Sequence, residues 1–153
     1  MLLIEKTLPG DARQINKLES ECYQSEDVFS VSRLRYLFSS ECTVSFKICD
    51  ENGTILGNVI GLIRRFSIPS GRIYKITVSH QIAGQGWATK LLKATEKCFA
   101  ELGMKKCCAE VRVSNTPSRK LFEKNNYTEY GKLEKYYPNS ETAIKFWKQL
   151  LVV

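Results

Sequence analysis

The stretch from Tyr74 to Leu92, YKITVSHQIAGQGWATKLL, constrains this chain most, because a glycine turn joins a strand pattern to a helix pattern there. The strand pattern ends at Val78, and the helical pattern begins directly after Gly84 and Gly86. Because glycine has no Cβ, a ligand can approach the main chain closely at such a turn. The first N–H groups of the new helix point toward that ligand, with the positive end of the helix dipole behind them. The turn therefore predicts a binding site for an anionic group such as a phosphate.

Two common phosphate-binding patterns do not fit this turn. The dinucleotide fingerprint needs a third glycine where Thr89 stands, and it belongs to a strand that opens the fold. The P-loop pattern GxxxxGK[ST] is absent. A strand-to-helix turn that binds no ligand is the alternative that these residues alone leave open.

A family resemblance favours the ligand-binding interpretation. The segment 84–92, GQGWATKLL, resembles the acetyl-coenzyme A motif of the GNAT acyltransferase superfamily, R/Q-x-x-G-x-G/A. The register that fits its leucine pair puts Gly86 and Ala88 at the two small positions. Ala83 then stands at the first position, which is normally Arg or Gln. Residues 81–86 satisfy the pattern literally, but the leucines then come two residues late, so Ala83 is a departure from the family pattern.

The composition is that of a globular chain that can bury a core without disulfides or metals. Its 153 residues suit a single domain, 1–153, with 43% hydrophobic and 25% charged residues. Lys and Arg number 23 against 16 Asp and Glu, and the resulting net charge of +7 favours anionic partners. No block of five or more basic residues occurs, so nucleic acid is not expected to be the main partner.

The cysteines and the N-terminus predict a cytoplasmic protein. Six cysteines without a CxxC pair indicate reduced thiols, since a disulfide framework is unusual in a chain of this size. His80 is the only histidine, so no metal site is expected. Charges come too early for a signal peptide, and no apolar run reaches the ~18 residues of a membrane span.

Hydrophobic periodicity and turn residues predict an α/β fold. Strands are predicted at 2–6, 42–49, 55–63, 72–78, 107–113, 127–134 and 143–152, and helices from an Asp11 cap, from Ser32, over 87–102, and over 117–125 with Thr116 as N-cap. The strand–helix–strand unit around the glycine turn requires a right-handed crossover, so strands 72–78 and 107–113 should pair in parallel. The expected architecture is a mixed, mostly antiparallel central sheet with that parallel pair at its middle and flanking helices. Residues 23–29, between the first two helices, are either a wall of a substrate site or a simple connector.

This order of elements is the GNAT order, and the second half of the chain resembles one branch of the superfamily. EVRVSN at 110–115, YYP at 136–138 and ETA at 141–143 are similar to the bacterial ribosomal-protein alanine N-acetyltransferases and their N-terminal acetyltransferase relatives. The resemblance implies direct transfer of acetyl from acetyl-CoA, in a ternary complex, to a protein or peptide α-amine. A small-molecule amine acceptor is one alternative. A non-catalytic acyl-CoA-binding regulatory module is another, which Ala83 and Phe122 favour.

The resemblance also implies the catalytic base. An amine arrives mostly protonated near pH 7, so a base assists its attack. Glu110 lies where the family has this base, on the strand that follows the cofactor helix. An ordinary strand glutamate paired with Arg112 or a nearby lysine is the alternative.

The remaining site residues follow from the same resemblance. The strand residues at 76–78 would bind the pantetheine arm through their backbone, and 84–89 would hold the pyrophosphate. Phe122 stands where relatives carry a tyrosine that protonates the departing thiolate, and since a thiol of pKa ~8.5 leaves tolerably without help, its absence should slow transfer but not abolish it. The cofactor-binding prediction thus comprises Ile76, Thr77, Val78, Gly84, Gln85, Gly86, Trp87, Ala88, Thr89, Asn115 and Phe122, and the acceptor-side prediction comprises Tyr136 and Tyr137. Asn115 is otherwise only a polar lead-in to its helix.

Overall fold

The computed structural model describes residues 1–151, which form seven strands and four α-helices. The strands are β1 (Leu3–Lys6), β2 (Thr43–Cys49), β3 (Ile55–Arg64), β4 (Ser70–Val78), β5 (Lys106–Arg112), β6 (Thr128–Leu133) and β7 (Ala143–Gln149). The helices are α1 (Ala12–Cys22), α2 (Val31–Ser39), α3 (Trp87–Glu101) and α4 (Thr116–Lys124). No helix in the described part of the chain is long and apolar enough to cross a membrane.

All seven strands belong to one sheet in the order β1-β2-β3-β4-β5-β7-β6. Every neighbouring pair is antiparallel except β4 and β5, which are parallel and lie in the middle of the sheet. The predicted fold class is therefore confirmed. The parallel pairing is shorter than expected from 72–78 and 107–113, because it joins only residues 70–73 to residues 106–109.

A β-bulge explains why the parallel pairing stops. Ile60 of β3 pairs with Lys75, but the next residue, Gly61, pairs with Ile73, so Tyr74 is an extra residue in β4. A bulge bends its own strand and increases the local twist. Because the bulge follows the last residue of β4 that pairs with β5, the two strands separate from that point onward.

Both faces of the sheet carry a hydrophobic core. Helix α3 lies on one face, where Leu91, Leu92 and Phe99 are fully buried. A Cβ on Gly61 or Gly71 would overlap the Phe99 ring, so two glycines let this ring pack directly on the strand backbone. Helices α1 and α2 lie on the other face, and their buried residues pack on β2, β3 and β4.

Several predicted boundaries are wrong by one or two residues. Ser30, not Ser32, caps α2 and accepts a hydrogen bond from the backbone N–H of Arg33 at 3.1 Å. Asn115, not Thr116, caps α4 and accepts from the N–H of Ser118 at 3.2 Å. In both cases a neighbouring residue with a suitable side chain competes for the cap, and only the backbone geometry selects one.

The ends of α1 and β7 also differ from the prediction. Asp11 precedes α1, but its carboxylate makes no bond to the helix end and accepts instead from the N–H of Leu8 and the ammonium of Lys47. The last strand was predicted over 143–152 and ends at Gln149. The final residue of that prediction, Val152, lies outside the described residues.

Candidate active site

The separation of β4 and β5 opens a cleft with a volume of about 570 Å³. Residues 72–76 of β4 and 109–112 of β5 form its two sides. Six of the predicted site residues line it: Ile76, Glu110, Asn115, Phe122, Tyr136 and Tyr137. Residues 77 and 78 and the turn 84–89 lie outside this cavity. They continue the chain from the end of β4 into α3.

Glu110 projects into this cleft and forms an ion pair with Arg72. An Oε atom of Glu110 lies 3.0 Å from a guanidinium nitrogen of Arg72, and both side chains are more than four-fifths buried. The same guanidinium group lies 3.4 Å from the hydroxyl of Tyr136. The alternative in which Glu110 pairs with Arg112 is wrong, because Arg112 pairs with Asp27 and Glu141. Arg72 therefore fixes the Glu110 carboxylate beside a tyrosine hydroxyl.

Tyr136 and Tyr137 both lie beside Glu110. A hydrogen bond with Glu110, together with burial, raises the pKa of Tyr136. Burial raises the pKa of Tyr137 to about 12, and its hydroxyl donates to the backbone carbonyl of Glu110 at 3.3 Å. Both phenols therefore stay neutral near pH 7, where each has a proton to donate. The two rings meet edge to face, with their centroids 5.1 Å apart.

Arg112 joins the two loops at the mouth of the cleft. Its guanidinium group donates to Asp27 at 2.7 Å, to Asn139 at 2.9 Å and to Glu141 at 3.2 Å. Asp27 belongs to the α1–α2 connector, and Asn139 and Glu141 belong to the β6–β7 loop. The group also lies 4.0 Å above the Tyr137 ring. The connector over 23–29 thus forms one wall of the cleft, as one of its two predicted interpretations proposed.

The β6–β7 loop is also tied to the end of β5. Glu141 accepts a hydrogen bond from the backbone N–H of Ser114 at 2.8 Å. Hydrogen bonds from Ser114, and then from Arg112, hold the pKa of the Glu141 carboxyl below its ordinary value. This carboxylate therefore remains charged and bonded to Arg112 at neutral pH.

A largely buried lysine lies where β4 meets the α1–α2 connector. Lys75 donates to Glu19 at 2.8 Å and to the backbone carbonyl of Asp27 at 2.5 Å, and its ammonium lies 3.5 Å from the centre of the Phe29 ring. Burial lowers the pKa of Lys75. The lysine thereby holds the α1–α2 connector against β4.

The Tyr23 side chain bonds to part of the backbone that is predicted to bind the pantetheine arm. Its hydroxyl donates to the carbonyl of Ile76 at 2.6 Å and accepts from Thr77 at 3.2 Å, and burial raises its pKa to about 12. The carbonyl of Val78 accepts from the Cys22 thiol at 3.6 Å. The carbonyls of Ile76 and Val78 thus have side-chain partners within the chain, and Thr77 pairs with Asn58 of β3.

The glycine turn leaves the N-terminal end of α3 open. Gly84 and Gly86 have φ of +75° and +84°, where side chains are strained, and a Cβ at either position would meet nothing within 4 Å. Gly86 is the N-cap residue, and no side chain caps this helix within residues 1–151. The leading N–H groups of α3 therefore face an exposed surface beside Lys90, whose ammonium lies 4.2 Å from the Trp87 ring centre.

Phe122 and Asn115 both serve local packing as well as lining the cleft. Phe122 is 4% exposed and contacts the rings of Tyr127 and Phe146, with centroid distances of 4.9 and 5.9 Å. The Asn115 side chain caps α4, as expected if this residue is the polar lead-in to the helix. Within the described residues, His, Cys, Asp and Glu side chains form no group of three or more that could hold a metal ion.

The cleft residues that the sequence analysis missed include Arg72, Tyr74, Lys75 and, in its role as a loop anchor, Arg112. Each is a polar or amphipathic residue within a strand, which is ordinary for a half-exposed strand. Nothing local marks them. Their role arises from partners that are distant in sequence.

A split parallel strand pair beside an uncapped, glycine-led helix forms a site that can hold an anionic ligand close to a carboxylate. Residues 12–127 match the Acetyltransferase (GNAT) family, so this chain belongs to that family and is an acetyltransferase. The resemblance drawn from the sequence is thereby confirmed.

Two curated relatives are similar to this chain. An uncharacterized N-acetyltransferase of Methanocaldococcus jannaschii is 25% identical over 149 residues, a match that covers 97% of this chain and 92% of that protein. An N-alpha-acetyltransferase of Sulfurisphaera tokodaii is 29% identical over 113 residues, covering 67% of this chain and 68% of that protein.

Solved structures share the fold at lower identity. The ribosomal-protein-S18-alanine N-acetyltransferase from Escherichia coli superposes with a TM-score of 0.85 at 20% identity, covering 100% of this chain and 96% of that one. NAA60 of Arabidopsis thaliana in complex with acetyl-CoA gives 0.85 at 13% identity, covering 98% and 99%.

Proposed function

We propose that this acetyltransferase moves the acetyl group of acetyl-CoA directly to the α-amine of a protein or peptide N-terminus, in the cleft between β4 and β5. The observation that carries the proposal is the position of Glu110, a carboxylate in the cleft that opens where β4 leaves β5. The chain of β4 continues from this cleft to the glycine turn. A relative named for N-alpha-acetylation supports the choice of an α-amine.

Acetyl-CoA fits the chain at the glycine turn. The leading N–H groups of α3 form an uncapped, positively polarised helix end that suits a pyrophosphate. Open space around Gly84 and Gly86 allows close approach. The family relation and a structural neighbour with bound acetyl-CoA support this co-substrate. We assign the phosphates to residues 84–89 and the pantetheine arm to 76–78, Asn115 and Phe122.

The chemistry assigned to this chain is mainly proton handling and positioning. Glu110 would take a proton from the acceptor ammonium, directly or through water, which frees the nitrogen lone pair to attack the thioester carbonyl. As the new C–N bond forms, the C–S bond breaks and the sulfur leaves as a thiolate. Phe122 has no proton to give, so the thiolate takes its proton from solvent. Tyr136 and Tyr137, both neutral donors, would orient the acceptor.

The shape of the cleft favours a polypeptide acceptor. Aromatic side chains line it on both sides, and the two loops joined by Arg112 bound its mouth. A small amine remains the second candidate acceptor, although no observation favours it. A non-catalytic module is disfavoured by the family relation and by the carboxylate in the cleft.

We also propose that residues 1–153 act as one catalytic domain in the cytoplasm. One sheet includes all seven strands of the described chain, and all six cysteines are free. Free thiols, two of them buried, suit a reducing compartment.

The test is CoA release from acetyl-CoA with a panel of peptides that differ in their first residue, alongside polyamines and amino acids. Each peptide has an N-terminally blocked copy as its matched control, which keeps every side chain and removes only the α-amine. We expect turnover with at least one free peptide, none with its blocked copy, and a mass increase located at the α-amine. Turnover with polyamines alone would contradict the proposed acceptor, and no turnover with any amine would contradict the proposed reaction.

A further inference from the structure

An uncovered part of the sheet continues directly from the cleft. On β5 and β7, cross-strand partners share a face, and the register pairs Glu110 with Lys145, Cys108 with Trp147, and Lys106 with Gln149. Helices α1 and α2 cover this face over β2, β3 and β4. Over β5 and β7 the face stays open, since Trp147 is 38% exposed and Gln149 is also exposed.

Three cations gather on this open face. Arg64, Ser70, Lys106 and Gln149 are successive partners across β3, β4, β5 and β7, so Arg64 and Lys106 share this face, and Lys145 shares it as the partner of Glu110. The three positive charges oppose the burial that raises the pKa of the Cys108 thiol, whereas the charge of Glu110 adds to it. None of the three is in an ion pair within residues 1–151, whereas Arg72, Arg112, Lys75, Lys47 and Lys148 all are. The cluster is therefore a net positive patch, with one negative charge from Glu110 at its cleft end, and it attracts carboxylates.

Exposed apolar side chains border this positive patch. Trp147, Tyr130 and Ile68 line a shallow groove of about 390 Å³ together with Lys105, Lys106 and Gln149. Tyr130 is 49% and Ile68 is 55% exposed, and the Lys145 ammonium lies 4.7 Å from the Tyr130 ring centre. Exposed apolar surface grouped with charge is typical of an interaction surface.

We propose that this basic face, formed by Arg64, Lys106, Lys145, Tyr130 and Trp147, binds an acidic segment of the acceptor polypeptide just after its N-terminus. The inference rests on the proposed function and adds the class of acceptor, namely chains with Asp or Glu close behind the acetylated residue. Along β5, four residues separate Glu110 from Lys106, which is ~13 Å at the rise of a strand. An extended acceptor with its amine at Glu110 would therefore bring roughly its third to sixth residues over Lys106 and its neighbour Arg64.

A peptide suits this surface better than a nucleic acid does. A protein that makes about 6–10 phosphate contacts has the strong, salt-sensitive affinity typical of DNA binding, whereas this patch offers three cations and Lys105 at its border. Glu110 stands at the cleft end of the same strand face and would repel a phosphate backbone. The face continues from Glu110 along β5, so an acceptor chain that runs in this direction lies over it.

The test compares two acceptor peptides that share their first two residues, the best pair in the panel, and carry either four Glu or four Gln at positions three to six. We expect kcat/KM to be about threefold to tenfold higher for the Glu peptide at low salt, as for two or three exposed ion pairs. The difference should arise in KM and shrink in 1 M salt, where screening is strong.

The test variant combines Lys106→Glu with Arg64→Glu. The control variant carries Lys124→Glu. The double variant should lose or reverse the preference for the Glu peptide. Lys124 lies at the exposed end of α4, so its reversal makes the same kind of charge change away from the face and should leave the preference intact.

Equal kcat/KM for the two peptides in an active enzyme would overturn this inference and leave the proposed function standing. If no peptide is acetylated, fluorescence anisotropy of fluorescein-labelled peptides tests the basic face by itself. Tighter binding of the Glu peptide, lost in the double variant, would then support the basic face although the proposed function fails. A single-stranded RNA oligomer that binds more tightly than the Glu peptide, and loses affinity in the double variant, would assign the face to nucleic acid and overturn the proposal.

Discussion

Arg72 is the residue that organises the chemistry of the cleft. It lies in β4 before the bulge, pairs with Glu110 of β5 and reaches Tyr136 of the β6–β7 loop. An ion pair of this burial orients the carboxylate and also holds it in place between substrate encounters. Glu110 can thus accept a proton from a defined direction while Arg72 keeps its position fixed.

Glu110→Gln should lower kcat by about 100-fold or more near neutral pH, because the amide keeps the shape and the hydrogen bond to Arg72 but cannot take a proton. Initial rates of CoA release measure this loss, and acetyl-CoA binding measured by calorimetry should be unchanged. Glu123→Gln, at an exposed position of α4, removes the same charge away from the cleft and should turn over normally. Native turnover in Glu110→Gln would assign the proton to another group or to water.

Phe122→Tyr should raise kcat by up to roughly tenfold if the chemical step limits the rate, because the new hydroxyl offers a proton to the departing sulfur. The ring itself keeps its contacts with Tyr127 and Phe146. A buried hydroxyl without a partner costs about 1–3 kcal/mol, so thermal unfolding accompanies the rate measurement. Unchanged turnover in a fully stable variant would show that a missing acid does not limit transfer.

At the scale of elements, the bulge in β4 forms the cleft and the glycine turn positions the open end of α3. The bulge at Tyr74 parts β4 from β5 and so makes the cleft. The turn places the uncapped end of α3 directly after β4, with Gly84 and Gly86 in the left-handed region. One strand therefore leads from the candidate reaction centre to the candidate phosphate site.

Acetyl-CoA at about 100 times its Kd should stabilise the native chain by about 2.7 kcal/mol, and Gly86→Leu should abolish that shift. The side chain would occupy the space where the phosphates bind and would strain a residue with φ of +84°. Scanning calorimetry with and without acetyl-CoA measures both effects.

Gly53→Leu is the matched control for this variant. Gly53 has φ of +78° in the β2–β3 turn, and its Cβ would also meet nothing within 4 Å. Both variants should therefore lose similar stability without ligand, about 1–2 kcal/mol, while Gly53→Leu keeps the full acetyl-CoA shift. If millimolar acetyl-CoA leaves the melting curve of the native protein unchanged, the assignment of the phosphates to the glycine turn is contradicted.

At the scale of the whole molecule, the two cores make thiol reactivity a measure of unfolding. Cys42 is exposed, whereas Cys107 is fully buried in the α3-side core, and burial raises its pKa to about 12. At pH 8 almost no Cys107 thiolate exists in the folded chain. Its reaction therefore requires the sheet to open.

Maleimide labelling at pH 8, followed by mass spectrometry, should modify Cys42 rapidly and Cys107 only at the rate of global opening. Gly71→Ala would press a methyl group against the Phe99 ring and destabilise the fold by about 1–3 kcal/mol. It should accelerate Cys107 labelling roughly tenfold or more and leave Cys42 labelling unchanged. Equal rates for the two thiols in the native protein would contradict the packing of this core.

The sequence by itself determined what depends on residues close together along the chain. Alternation predicted the strands, helical spacing predicted the buried stripe of α3, and the glycines predicted a turn that a ligand can approach closely. Family motifs added Glu110, Asn115, Tyr136 and Tyr137, and all four line one cleft. These patterns succeed because backbone preference and side-chain periodicity are local properties.

Only the tertiary structure decided which distant side chains meet. Arg72 pairs with Glu110 across 38 positions, and Arg112 reaches Asp27 across 85. The extra residue Tyr74, which parts β4 from β5, appears only once β3 fixes the register of β4. Strand register and sheet order are collective properties of the packed sheet, so no local pattern encodes the cleft, its ion pairs or the open basic face.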